Sequence, residues 1–232
     1  MDETTVRRLV ALNEAFYAQF AAPFAASRDA PQPGYERLLA YAPERGGRVL
    51  DVGCGEGRFG RFLRAQGRDV DYTGVDFTAD LLALAELSGR LLRRDLSQPG
   101  CLADLGHFEL VVCLSTLQHI PGRDNRARLV AEMGAGLSPG GRLALANWQF
   151  LDSPRQRRKI QPWSVAGLQA SDVEPGDYLL SWQRGGSGLR YVALLDETET
   201  RRLAAEAGLH VVAQFRSDGH EGDLNLYTVL AG

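Results

Sequence analysis

Apolar residues recur at helical spacing near the start of the chain. Val6, Leu9, Val10, Phe16, Tyr17 and Phe20 share one stripe with Asn13 and predict a helix. Pro23, Pro31 and Pro33 then interrupt the pattern. Tyr35, Leu38, Leu39 and Ala42 predict a second, shorter helix. From residue 48 the rhythm changes. Short apolar runs at 48–52, 70–75, 91–94, 108–114 and 143–148 read as strands. The amphipathic segments 59–66, 78–87 and 124–137 read as helices between them. Gly67 suits a left-handed helix cap, and Ser138-Pro139-Gly140-Gly141 halts the last of these helices. The run 108–114 is continuously apolar, as expected of a central strand covered on both faces. Such alternation predicts right-handed βαβ units and an open parallel sheet. Residues 150–190 carry no clear period, are rich in Arg, Gln, Gly and Trp, and read as irregular. A helix follows over 196–207, with Asp196 and Glu199 as a capping box and Gly208 as its stop. The strands 211–215 and 224–230 are joined by too few residues for a crossover helix, which predicts an antiparallel hairpin.

Composition narrows the picture. The chain has 232 residues, 44% hydrophobic and 24% charged, enough for a full core without disulfides. Its net charge of −3 creates no long-range field that gathers nucleic acid. One local exception is Arg155, Arg157, Arg158 and Lys159, readable as phosphate contacts or as a solvated turn. Cys54, Cys101 and Cys113 form no CxxC pair, so neither a disulfide framework nor a metal site is expected. No apolar run reaches the ~18 residues that span a bilayer, and the polar, acidic start is unlike a signal peptide. A cytoplasmic protein is expected. Nothing identifies a protein partner.

The first strand runs into Asp51-Val52-Gly53-Cys54-Gly55-Glu56-Gly57, and Gly55, Gly57 and Gly60 spell GxGxxG. Read alone, that motif suggests a dinucleotide whose pyrophosphate sits on the helix N-terminus. The register counts against it, because Asp51 stands where a pyrophosphate would be repelled. The same carboxylate attracts an ammonium group. S-adenosylmethionine carries an ammonium and a sulfonium and no phosphate, so it suits this loop better than NAD. Gly53, Cys54, Gly55, Gly57 and Phe59 then belong to its binding loop. Asp76, with Phe77 beside it, ends the second strand and can bridge ribose hydroxyls; capping of the next helix is the competing role. Asp95 can accept the adenine amino group with Leu96 covering the ring, unless it merely caps its loop. Ser115 falls at the end of the next strand, where ligands of open α/β sheets bind.

These segments resemble the class I S-adenosylmethionine-dependent methyltransferases. The likeness rests on 49–57, 72–76, Asp95-Leu96, 108–114 and 137–141, in the right order over about residues 48–148. It implies a Rossmann-like α/β sheet of seven strands, mostly parallel, ending in the antiparallel hairpin, with helices on both faces. It divides the chain into a helical lid (1–43), a cofactor-binding core (44–149), an acceptor-side insertion (150–190) and a C-terminal helix and hairpin (191–232). A narrower likeness links Phe16-Tyr17, Phe20, Phe24, Arg28 and Pro31-Gln32-Pro33 to the wobble-uridine carboxymethyl tRNA methyltransferases. Trp148, Trp182, Arg190-Tyr191 and Asn225 echo further elements of that family. The chain departs from the family pattern at Gln32, Val192 and Leu226. The likeness makes Arg28, Trp148, Trp182, Arg190, Tyr191 and Asn225 candidates for the acceptor side. The acceptor is then a tRNA wobble uridine side chain or a small metabolite.

Methyl transfer is an in-line displacement, and positioning alone can supply ~7–11 kcal/mol of its barrier. A base is needed only when the nucleophile carries a proton. The segment after the fourth strand, Leu114-Ser-Thr-Leu-Gln-His119, lacks the Asn/Asp-Pro-Pro-aromatic pattern of base-amino methylation and the Pro-Cys of cytosine C5 chemistry. His119 is the candidate general base, with packing or capping as its bland alternative. Tyr17 can close over the cofactor or simply fill a helix face. The expected activity is methylation of O or N of a polar acceptor. Its rivals are a nicotinamide-dependent oxidoreductase using the GxGxxG and a cofactor-binding protein without turnover.

Overall fold

The structure is a computed structural model that describes residues 1–26 and 30–232. The chain begins with α1 (Glu3–Ala26) and α2 (Gly34–Leu38), then alternates β1 (Arg45–Val52), α3 (Arg58–Ala65), β2 (Asp69–Asp76), α4 (Ala79–Ala83), β3 (Arg90–Arg93) and β4 (Phe108–Leu114). A 3-10 turn (Leu117–His119) leads to α5 (Arg123–Ala135) and β5 (Leu137–Trp148). After α6 (Pro154–Arg157) come β6 (Ile160–Gln161), β7 (Asp177–Trp182) and β8 (Gly188–Ala193), then α7 (Glu197–Glu206), β9 (His210–Ser217) and β10 (Asn225–Ala231).

Seven strands form one sheet in the order β3-β2-β1-β4-β5-β10-β9. β1 to β5 pair in parallel, while β10 runs antiparallel to both β5 and β9. The expected Rossmann-like sheet with its C-terminal hairpin is therefore present. The chain starts at the centre, moves outward to β3 and returns to β4. That reversal opens a crevice beyond the carboxyl ends of β1 and β4. Successive residues of β4 feed opposite faces: Leu110 and Val112 join Val49, Phe62 and Leu63, whereas Val111 and Cys113 join Leu50, Leu129 and Met133. Both faces are covered, which is why this strand is apolar throughout.

α1 bends at Phe20 (φ −112°, ψ 17°). Pro23, inside the helix, supplies the reason: its ring crowds the carbonyl four residues back and it donates no hydrogen bond. Asn13 fastens the helix to the crevice. Its amide donates to the carbonyls of His119 (3.1 Å) and Tyr191 (3.3 Å), and its oxygen accepts from the Tyr191 N–H (2.8 Å).

Residues 150–190 differ from expectation. They are not irregular, because β6, β7 and β8 make a second, antiparallel sheet in that order. Asp177 and Arg190 occupy buried strand positions and break the apolar rhythm that would have revealed it. β5 also starts earlier than predicted, with Leu137 paired to Phe108 and an irregularity before Leu110. Ser138–Gly141 is thus a bulged strand end rather than a loop. Only one arm of the predicted capping box forms, Asp196 Oδ1 accepting from the Glu199 N–H at 2.9 Å. No helix among the described residues is long and apolar enough to cross a membrane.

Candidate active site

The loop after β1 turns sharply enough to bring its backbone to the crevice. Gly53 has φ +78°, and the N–H groups of Gly53 and Cys54 both donate to the Val75 carbonyl (2.7 and 3.0 Å). A Cβ on Gly53 would lie 2.2 Å from Thr116, so this position admits no side chain. At Gly55 (φ +55°) the nearest atom to such a Cβ is 4.0 Å away, and the backbone faces open space. That space is a cleft of about 760 Å³. Of the residues singled out in the sequence, Asp51, Gly53, Cys54, Gly55, Phe59, Asp76, Phe77, Leu96, Ser115, Tyr17, His119 and Trp148 line it together. Phe24, Tyr35, Glu56, Arg58 and Thr116 line it as well. Glu56 sits within the loop motif itself and Thr116 follows Ser115, so adjacency was the available signal. Nothing in the pattern around Tyr35 separates it from an ordinary helix face.

One wall is electronegative. Asp51 ends β1 buried, its Oδ2 accepting from Tyr72 Oη at 2.7 Å. Burial pushes its carboxyl up to about 7, against the Tyr72 hydrogen bond, and the nearby Asp76 and Glu56 push the same way. Asp76 accepts the Thr78 N–H on Oδ1 and the Gly55 N–H on Oδ2, both at 2.9 Å. Its carboxyl is also raised, chiefly by burial, with those two amides opposing. Asp76 therefore caps the turn before α4 and ties it to the glycine loop. Burial pushes the Cys54 thiol far up, which leaves it no nucleophile.

The opposite wall is aromatic. His119 Nδ1 lies 2.9 Å from the Tyr191 carbonyl, which can only accept, so Nδ1 carries the hydrogen of the neutral ring. Nε2 then accepts from Tyr17 Oη at 3.0 Å. Trp148 stands edge-on to the imidazole, with ring centroids 5.4 Å apart, and donates Nε1–H to Ser115 Oγ at 3.1 Å.

Other expected site residues stand elsewhere. Gly57 caps α3 and packs against Leu87 away from the cleft. Asp95 spends Oδ1 on the Ser97 N–H (2.9 Å) and Oγ (2.6 Å) and lines a neighbouring pocket of about 400 Å³. That pocket shares Phe77, Leu96, Thr116 and His119 with the cleft. Tyr191 does not line the cleft: it is wholly buried, its hydroxyl donating to Asp177 (2.6 Å) and accepting from Arg126 (2.9 Å). Asn225 is likewise buried, its amide donating at 2.7 Å to Asp218 just past the end of β9. Trp182 packs edge-on to Phe16 behind the cleft. Arg190 is buried against Phe16, Trp148 and Trp182. Arg28 lies outside the described residues.

A family model described as "Methyltransferase domain" matches residues 25–214, and the chain belongs to this family. Curated relatives include a ubiquinone biosynthesis O-methyltransferase of Thiobacillus denitrificans, 29% identical over 174 residues, which cover 72% of this chain and 66% of that protein. A malonyl-[acyl-carrier protein] O-methyltransferase of Pectobacterium atrosepticum is 33% identical over 146 residues, covering 56% of this chain and 55% of that one. The chain thus spans slightly under two thirds of the one and about half of the other. Among solved structures, a SAM-dependent methyltransferase of Methanosarcina mazei superposes with a TM-score of 0.63 at 19% identity, over 84% of this chain and 95% of that chain. The DhpI-SAM-HEP complex superposes with a TM-score of 0.65 at 16% identity, over 97% and 98%.

S-adenosylmethionine is the methyl donor of this class, and the residues present fit it. The cleft wall gathers three carboxylates, and the raised Asp51 marks a buried negative centre that a cationic ligand would relieve. A pyrophosphate there would meet that same charge, so the oxidoreductase alternative has no support.

Proposed function

We propose that the protein transfers the methyl group of S-adenosylmethionine to an oxygen of a small polar acceptor. The carrying observation is the hydrogen-bonded Tyr17–His119 pair on the wall of the cleft that Asp51 and Asp76 also line. When bound, the cofactor supplies an electrophilic methyl on a sulfonium, displaced in line by the acceptor. Asp51 holds the ammonium of its methionine end, with Gly53, Cys54 and Gly55 shaping the cradle. Asp76 faces the ribose hydroxyls while keeping the loop closed. Phe77 and Leu96 cover the adenine, with Asp95 at the far rim. Tyr17 and Trp148 flank the acceptor, and His119 Nε2 is the base that receives its proton, directly or through Tyr17 Oη. An already ionised acceptor needs no such step. Residues 1–43 then serve as the lid and 150–190 as the acceptor side. Oxygen is favoured because both relatives are O-methyltransferases.

A tRNA acceptor is the second reading, favoured by the exposed Arg155, Arg157 and Arg158 on and just after α6, beyond Trp148. Labelled-methyl transfer from S-adenosylmethionine into small-molecule extract and into bulk tRNA, run in parallel, separates them. Label in the small-molecule fraction alone is expected. Label in tRNA alone transfers the proposal to the second reading. Tight cofactor binding with label in neither fraction makes the protein a binding member of the fold.

A further inference from the structure

Arg190 lies in β8 with only 3% of its surface exposed. Its guanidinium carbon sits 4.6 Å from the Trp148 ring centroid and 5.2 Å from those of Phe16 and Trp182. Among the described residues, Nε and Nη1 have no hydrogen-bond partner and no carboxylate pairs with the group. Its polar neighbour is the Tyr17 hydroxyl. Arginine does not lose its charge at neutral pH. A buried cation held only by ring faces and one phenol is incompletely compensated, and donors aimed at nothing carry a desolvation penalty. Such a residue is expected to have an anionic partner that the described residues do not supply. Trp148 and Tyr17 are also the cleft lining, so the guanidinium stands one ring thickness behind the acceptor wall. The cleft is thus polarised, with carboxylates on one wall and this guanidinium behind the other.

We propose that Arg190 anchors an oxyanion group, a carboxylate or a phosphoryl group, carried by the methyl acceptor. This rests on the methyltransferase reading above and adds a substrate class to it. Because the guanidinium stands behind the ring wall, the Trp148 or Tyr17 ring turns aside as the anion enters; Nε and Nη1 then receive the anion, and the electronegative wall disfavours it at the cofactor end. No bond is made or broken at Arg190, which is a binding residue.

The test uses the full chain, free and saturated with S-adenosylhomocysteine, with benzoate, phenylphosphonate and neutral benzamide as probes. Calorimetric titration is expected to detect one or both anions and not benzamide, and the preferred anion assigns carboxylate or phosphoryl. Arg190→Gln is expected to weaken the anion at least tenfold while S-adenosylhomocysteine affinity stays within twofold. Arg190→Lys, which keeps the charge, is expected to retain part of the anion affinity and serves if the glutamine variant does not fold. Equal binding of benzamide, anion affinity unchanged in Arg190→Gln, or no anion bound in either form overturns the proposal. Failure of S-adenosylhomocysteine to bind would instead overturn the cofactor reading, and the anion titration of the free chain would still decide the anchor.

Discussion

Asp51→Asn removes the most perturbed acid of the cleft and keeps the shape of its side chain. In the wild-type chain burial lifts the carboxyl from 3.8 to about 7. A group whose proton is held more tightly folded than unfolded lowers stability as pH rises between those two values. Each unit corresponds to ~1.4 kcal/mol, so the full difference is ~4 kcal/mol, of which ~3 kcal/mol falls between about pH 5 and pH 8. For a chain of this size that is roughly 6–12 °C in melting temperature. The cofactor-free wild type should lose this much relative to Asp51→Asn across that range, because the amide does not titrate there. Differences between the two proteins cancel the parallel contribution of Asp76. A cationic ligand reverses the preference, since it binds the ionised carboxylate better. Wild-type affinity for S-adenosylmethionine should rise close to tenfold per pH unit up to about 7 and then level, and the variant should show weak, flat binding. Melting curves and binding isotherms at matched pH are sufficient. Parallel wild-type and variant profiles would refute the assignment of Asp51 as the buried, cation-seeking acid.

Asp76→Ala strips acceptors from two backbone amides and from the proposed ribose contact, so S-adenosylhomocysteine should bind at least tenfold more weakly by calorimetry. Gly55→Ala should fold with a loss of about 1 kcal/mol from its left-handed backbone, yet bind cofactor more than tenfold less tightly, because its methyl enters the cleft. Gly53→Ala should instead lower the melting temperature strongly, its Cβ colliding with Thr116 at 2.2 Å. His119→Asn should reduce turnover on a protonated acceptor by roughly 10²- to 10⁴-fold while leaving cofactor affinity within twofold; equal turnover would remove the base from the mechanism.

The large sheet was legible because its signals are local. Short apolar runs, Gly67 and Gly208 as caps, and the brief link 216–223 each report on a few neighbouring residues. That Asp51, Asp76 and Ser115 meet at one cleft was legible for a related reason, since topology places these strand ends on one edge. Where the Tyr191 side chain goes was not legible, because a strand's alternation decides which side chains face the cleft and β8 hides its alternation behind a buried arginine. The turn that Asp95 caps is a contest between local hydrogen bonds and a ligand, and local bonds claim Oδ1. The Tyr17–His119 pair joins residues 102 positions apart and exists only once Asn13 has docked α1.

The small sheet of β6, β7 and β8 has a modular consequence. It hydrogen-bonds within itself and shares no ladder with the seven strands that carry Asp51 and Asp76. On the proposed reading, the cofactor-holding Asp51 and Asp76 lie on the large sheet and the anion-anchoring Arg190 on the small one. On that reading residues 160–193 can drift, or be exchanged between homologues, with Asp51 and Asp76 left in place. Selection for a new acceptor would then accumulate around the β7–β8 hairpin, and directed evolution of this scaffold has its natural library there.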